Sequence, residues 1–211
     1  MGKRGKFITL EGGEGVGKST LLADLRAKLR ARGIAVQLAR EPGGTALGEA
    51  VRALLLDPAS RSMSAESELL LMFASRAQLV RELVLPTLKT GGWVLSDRYV
   101  DASYAYQGGG RLVPDARICA LEEWVCAGLK PDLTLLLDLP VSTGRARIVR
   151  RGNMDRIETE TDAFFERVRE RYRRRAEAES GRFCVIDASL APAQVLQASM
   201  VAVNRLIKAS A

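Results

Sequence analysis

Five short apolar runs, Phe7–Leu10, Ala35–Ala39, Trp93–Ser96, Leu133–Leu139 and Phe183–Ile186, are separated by stretches whose apolar residues recur every three or four positions. Runs of that length suit buried strands, and the intervening period is that of helices packed by one face. Strand and helix alternate, which implies right-handed crossovers and a parallel sheet covered on both sides. The pattern predicts a three-layer α/β fold with a five-stranded parallel sheet flanked by helices. In such folds ligands sit beyond the carboxyl ends of the strands.

The first helix shows Leu21, Leu22, Leu25 and Leu29 on one face and stops at Gly33. A long helix starts near Ser64 and carries Leu69, Leu70, Met72, Phe73, Leu79, Val80, Leu83 and Val84. This apolar set is wider than one core-facing stripe, which fits either a partner subunit or a broad core contact. Pro86 should kink or end that helix, because proline lacks the backbone N–H. Ser103–Arg111 gathers hydroxyls, an amide and three glycines and reads as a flexible polar connection suited to substrate contact. Pro114 opens a helix through Leu121, Trp124 and Val125 that reads as scaffold. Thr161–Ser180 turns Phe164, Phe165, Val168 and Tyr172 inward, and a final helix does the same with Val195, Leu196, Met200, Val203 and Leu206. No repeat or linker divides the chain, so 1–211 is expected to be one domain.

Composition narrows the chemistry. With 211 residues and 47% hydrophobic content, the chain can bury one sizeable core. No apolar stretch approaches the ~20 residues that span a bilayer, and Met1–Lys6 runs into a strand without a signal-like apolar segment. A cytoplasmic protein with no membrane partner is expected. Cys119, Cys126 and Cys184 are odd in number and lack C-x-x-C spacing, which argues against a disulfide framework or a zinc site. Histidine is absent, so imidazole chemistry is excluded. The net charge of +7 is concentrated: Arg145–Arg175 holds eleven arginines against six acids. Aromatic residues do not interleave a basic surface as in single-strand binders, so a lid for polyphosphate is favoured and no nucleic-acid partner is expected.

Between the first strand and the first helix lies Gly12-Gly13-Glu14-Gly15-Val16-Gly17-Lys18-Ser19-Thr20, which satisfies G-x-x-x-x-G-K-[ST]. Glycines let successive N–H groups face phosphate oxygens, Lys18 bridges the outer phosphates, and Ser19 offers a hydroxyl to Mg²⁺. The third strand ends in Asp97-Arg98, where Asp97 can hold the metal or its waters and Arg98 a phosphate. Arg40-Glu41-Pro42-Gly43-Gly44-Thr45 is a polar turn after the second strand. Phe73 and Arg76 share a helix face, a spacing that fits a core ring beside a surface guanidinium as well as a binding pair. Four arginines between Arg145 and Arg151, ended by Gly152-Asn153, read as a lid at about 144–158 or as a solvated basic face.

Taken in this order, the phosphate loop with its internal acid, the Arg40–Thr45 turn, Phe73 with Arg76, Asp97-Arg98-Tyr99, Ala105–Gly110 and Asp155-Arg156-Ile157-Glu158 resemble the thymidylate kinases of the nucleoside monophosphate kinase family. The resemblance implies a P-loop kinase fold, transfer of the ATP γ-phosphoryl to dTMP, and a homodimer. It implies that Phe73 stacks on thymine, Arg76 meets its edge and Arg98 binds the dTMP phosphate. Glu41 and Pro42 then line the acceptor site, while Ser103, Tyr106 and Gln107 approach base and sugar. Arg147 corresponds to the adenine-stacking arginine. Glu14 is expected to meet the acceptor sugar and help set the catalytic arrangement. Family members carry a mobile arginine in the phosphate loop or in the lid. Gly15 and Val16 leave the loop without one, so Arg151 is the expected lid arginine, supported by Arg150 or Arg156.

Overall fold

Five parallel strands, β1 (Phe7–Glu11), β2 (Val36–Arg40), β3 (Trp93–Asp97), β4 (Leu133–Asp138) and β5 (Phe183–Asp187), form one sheet in the order β2-β3-β1-β4-β5. The computed structural model describes residues 4–209, so Met1–Lys3 of the segment leading into β1 lie outside the described residues. Four of the strands run one residue past the apolar run that announces them, onto Glu11, Arg40, Asp97 and Asp187. Counting apolar residues stops at a charge, but the ladder does not: Leu10 and Arg40 both pair in register with Asp97. Polar side chains are thereby fixed on strand ends.

The helices are α1 (Lys18–Arg30), α2 (Ala46–Leu56), α3 (Ala65–Leu79), α4 (Leu85–Lys89), α5 (Val100–Ser103), α6 (Asp115–Cys126), α7 (Val141–Arg151), α8 (Asp162–Ala178) and α9 (Pro192–Lys208). One sheet face, carrying Ile8, Leu10, Leu135 and Leu137, packs on α1 and α9 through Leu25, Leu29, Met200 and Val203. The opposite face meets α3 and α6 through Phe7, Val94, Phe73 and Ile118, and meets α8 through Leu136, Phe165 and Val168. Strand side chains alternate, so Glu11 falls on the face of Phe7 and Thr9. Among the described residues no helix is long and apolar enough to cross a membrane.

One expectation is corrected and another is narrowed. Ser103–Arg111 is not a flexible connection: α5 continues into a π-helix over Tyr104–Gly110, and most of it is buried. Its glycines serve contact instead of mobility, since a β-carbon on Gly110 would enter the Phe164 ring and one on Gly109 would press on the Arg167 carbonyl. Of the two outcomes expected at Pro86, a kink or an end, the end is ruled out, since the long helix continues through α4 to Lys89. The turns before it, Val80–Val84, are π-helical. The wider register falls where the proline N–H is missing. The broad apolar set is divided: Leu69, Phe73, Leu79, Val80 and Val84 are core, while Leu70 is 57% exposed.

Candidate nucleotide site

The carboxyl ends of β1, β2 and β3 open onto a cavity of about 680 Å³. Its floor is the loop from Glu14 to Thr20, which hands the chain to α1. Gly15 sits at φ 70°, and a β-carbon there would collide with the Gly144 backbone; a β-carbon on Gly144 would collide with the Glu14 carbonyl. Loop and α7 thus interlock backbone against backbone. Lys18 lies across the loop, with Nζ donating to the carbonyls of Gly12 at 3.1 Å and Gly13 at 2.7 Å. Burial, with Arg98 close by, lowers its pKa.

Arg98 faces the loop from β3 with φ 71°, a left-handed backbone that non-glycine residues rarely adopt. One guanidinium nitrogen, Nη1, donates to the Gly12 carbonyl at 2.9 Å and to the Tyr172 hydroxyl at 3.2 Å. The other, Nη2, donates to Glu14 Oε1 at 2.5 Å and to the Tyr106 hydroxyl at 2.9 Å. Tyr106 also donates to Glu14 at 2.8 Å, and its ring lies under the guanidinium at 4.7 Å. Burial pushes the Glu14 carboxyl up, but Arg98 and Lys18 outweigh it and hold the pKa down to about 2. The cluster can hold anions, and its own acid occupies the cation until one arrives.

Asp97 and Ser19 both line the cavity, and Asp97 Oδ1 is buried without a hydrogen-bond partner. A buried carboxylate oxygen with no donor is costly unless a cation or its water completes it. Mg²⁺ suits this pair, because it binds through one or two protein oxygens and keeps waters and phosphate oxygens as its other ligands.

Two more partnerless buried oxygens, Glu41 Oε1 and Gln107 Oε1, belong to residues on the far wall. Behind that wall Arg76 is fully buried. It donates to Glu41 Oε2 at 2.8 Å, to Ser103 Oγ at 3.1 Å and to the Tyr99 carbonyl at 3.1 Å, and it lies 4.4 Å from the Phe73 ring centre. Burial raises the Glu41 pKa against the opposing pull of Arg76. Tyr106, Gln107, Glu41 and Pro42 line the cavity, whereas Phe73, Arg76 and Ser103 do not. The side chain that α3 presents to it beside Glu68 is Met72. Neighbours on a helix point about 100° apart, so Phe73 faces the core where Met72 faces the cavity.

Arg147 and Arg151 line the opposite rim, one helical turn apart on α7. Arg147 donates to the Gly15 carbonyl at 3.1 Å; Arg151 donates to both Glu158 oxygens at 2.6 and 2.5 Å and is 60% exposed. Arg156 is not free to support it. That guanidinium is buried, bonded to the Leu55 carbonyl and to Glu68, each at 2.7 Å, which ties the segment after α7 to the body.

A family model described as thymidylate kinase matches residues 10–199. The chain belongs to the thymidylate kinase family. It is 51% identical over 209 residues to the thymidylate kinase of Nitrosomonas eutropha, covering 99% of this chain and 97% of that one. Identity is 53% to the thymidylate kinase of Methylococcus capsulatus, covering 96% and 97%, and 54% to that of Pseudomonas syringae pv. tomato, covering 93% of each. Against the pattern of thymidylate kinases, the structure gathers Glu14, Lys18, Ser19, Asp97, Arg98, Tyr106, Gln107, Arg147 and Arg151 around one cavity. It also adds Arg52, on α2, which lines the cavity and donates to the Pro42 carbonyl at 3.0 Å. Burial, with Arg40 nearby, lowers its pKa. The available signal was one arginine inside the apolar stretch Ala50–Leu56.

Proposed function

We propose that this chain transfers the γ-phosphoryl group of ATP to dTMP, giving ADP and dTDP. Family membership over nearly the whole chain carries the reading, and the convergence of Lys18 and Arg98 on the Gly12 carbonyl beside one cavity supports it. Backbone N–H groups of Gly13–Thr20 and Lys18 hold the triphosphate, and Arg147 meets the adenine. Ser19 and Asp97 hold Mg²⁺, which when bound neutralises charge on the phosphates. Arg98 takes the dTMP phosphate on the edge now given to Glu14. Arg52 supplies a second cation on that side.

The acceptor is already an anionic oxygen, so transfer needs positioning and charge neutralisation more than a base. A chain without histidine is equipped for that. Arg151 leaves Glu158 and joins the transferred group. Glu158 is only 5% exposed, so the exchange leaves its carboxylate to the Asp155 amide, and the new contact to the transferred group has to offset that loss. Closure of the lid excludes water and suppresses ATP hydrolysis.

For the base we assign Met72 to the wall that touches thymine, with Glu41 and Gln107 offering acceptor oxygens and Tyr106 crowding the sugar. Phe73 and Arg76 support this wall from behind. Met72→Ala is expected to raise KM for dTMP several-fold with KM for ATP unchanged. Phe73→Ala is expected mainly to lower the thermal midpoint, since removing a core ring costs about 3–5 kcal/mol. An unchanged dTMP KM in Met72→Ala removes Met72 from the base wall.

We treat 1–211 as one domain with a lid at about 144–158, because a single sheet organises the described residues. We assign it to the cytoplasm and to a homodimer, whose contact is supported by apolar side chains left exposed on α2, α3 and α6: Leu47, Leu54, Leu70 and Trp124. Coupled ADP-release assays over dTMP, dUMP, dCMP, AMP and GMP test the activity, with Mg²⁺ and after chelation. The expected result is a metal-dependent preference for dTMP, from a species of twice 23.0 kDa by light scattering. A preferred acceptor other than dTMP or dUMP overturns the substrate.

A further inference from the structure

Glu11 has none of the roles above, although it is a carboxylic acid with no exposed surface at the end of β1. All five residues of that strand are buried, and an apolar side chain would suit position 11 better. Burial is the main cause that raises its pKa, Asp101 adds to it, and the result is about 8 despite the pull of Arg98. The acid nevertheless makes two short hydrogen bonds. Oε1 accepts from the Tyr99 amide at 2.7 Å, and Oε2 accepts from the Tyr172 hydroxyl at 2.7 Å.

Both bonds lead to Arg98. Tyr99 is the next residue, so fixing its amide fixes the peptide that leaves Arg98 in its left-handed backbone. Tyr172 OH accepts from Arg98 Nη1, so fixing that hydroxyl fixes one edge of the guanidinium. The two edges differ in kind. Nη1 is held by Tyr172 and by the Gly12 carbonyl, at the back of the cluster. Nη2 is held by Glu14 and Tyr106, both on the cavity. An incoming phosphate can replace Glu14 on Nη2 only if Nη1 keeps the guanidinium aimed during the exchange.

We infer that Glu11 is a positioning residue for the acceptor phosphate: through the Tyr99 amide and the Tyr172 hydroxyl it fixes the backbone and the rear edge of Arg98. A guanidinium already oriented loses less freedom when it binds, so the effect falls on acceptor affinity. The inference rests on Arg98 as the dTMP-phosphate residue, so Arg98→Ala is measured alongside Glu11→Gln, Tyr172→Phe and the Glu11→Gln/Tyr172→Phe double variant. The readouts are kcat, KM for dTMP, KM for ATP and the thermal midpoint.

Glu11→Gln keeps the volume and one acceptor. Measured at pH 9, above the carboxyl's pKa of about 8, it is expected to raise KM for dTMP about tenfold, the scale of one hydrogen bond to an ionised group, while KM for ATP stays within twofold. Tyr172→Phe should give a similar split, and the double variant should lose no more than the worse single one, because both act through one chain. Equal rises in both KM values point to a general distortion of the phosphate loop and overturn the inference, as does full additivity. If Arg98→Ala leaves dTMP binding intact, the Arg98 role itself fails. If only Arg98→Ala raises the dTMP KM, the role of Arg98 stands and that of Glu11 falls. Should Glu11→Gln not fold, Tyr172→Phe decides alone, with an unchanged dTMP KM counting against Glu11.

Discussion

Replacing Arg98 with alanine is expected to lower kcat/KM for dTMP by about a thousandfold or more, while ATP binding changes only a few-fold. The magnitude follows from what the guanidinium does in the structure. It makes four hydrogen bonds, one of them to the Glu14 carboxylate at 2.5 Å, and all four lie in a cluster with little solvent. An arginine that neutralises phosphate charge in phosphoryl transfer is worth about 10³–10⁵ in rate, and the acceptor phosphate loses its fork-shaped ligand as well. A loss of about 4 kcal/mol in transition-state binding is roughly a thousandfold in rate. Arg98→Lys keeps the charge without the two-edged geometry and should recover only part of the loss. Steady-state kinetics with each substrate varied in turn provide the check, and a loss below tenfold would take Arg98 out of the reaction. Glu14 offers a second readout: with Arg98 gone, its carboxyl should titrate above the value of about 2 that the cation now enforces.

The second large effect concerns Arg151. Arg151→Ala is expected to reduce kcat by about a hundredfold to ten-thousandfold with little change in KM for dTMP, the pattern of a contact made only in the transition state. Its ground-state partner is Glu158, and that carboxylate also accepts the Asp155 amide at 3.2 Å, so the lid keeps part of its internal bonding without the arginine. The fold should therefore hold, and the thermal midpoint should move by a few degrees at most. Single-turnover phosphoryl transfer separates chemistry from product release here. Full turnover in Arg151→Ala would move the mobile arginine elsewhere on α7.

Much of the architecture could be read from the chain because it depends on two periods. Alternation of short apolar runs with helical faces was enough to place five strands and a parallel sheet. Strand ends were misjudged because four strands run one residue beyond their apolar run onto a charge, and those charges include Glu11 and Asp97. Gly108-Gly109-Gly110 misled for a related reason: in a sequence glycines suggest freedom, but here they let a π-helical segment touch α8. The arginines that α7 brings to the cavity rim were legible because composition alone concentrates charge there. Which of Met72 and Phe73 faces the cavity was not, because helical phase relative to a wall depends on how α3 docks. Arg52 was passed over since one arginine in an apolar helix looks like a solvated end. Glu11 gave no signal beyond one acid at the edge of an apolar run.

The interlock between Gly15 and Gly144 bears on how this kinase can vary. An arginine at position 15 would need both a left-handed backbone and space now filled by the root of the lid helix. Admitting it would push α7 outward and carry Arg147 and Arg151 off the cavity rim. A cation at position 15 and the present seat of α7 thus compete for one space, and substituting Gly15 alone cannot supply a loop arginine without displacing that helix.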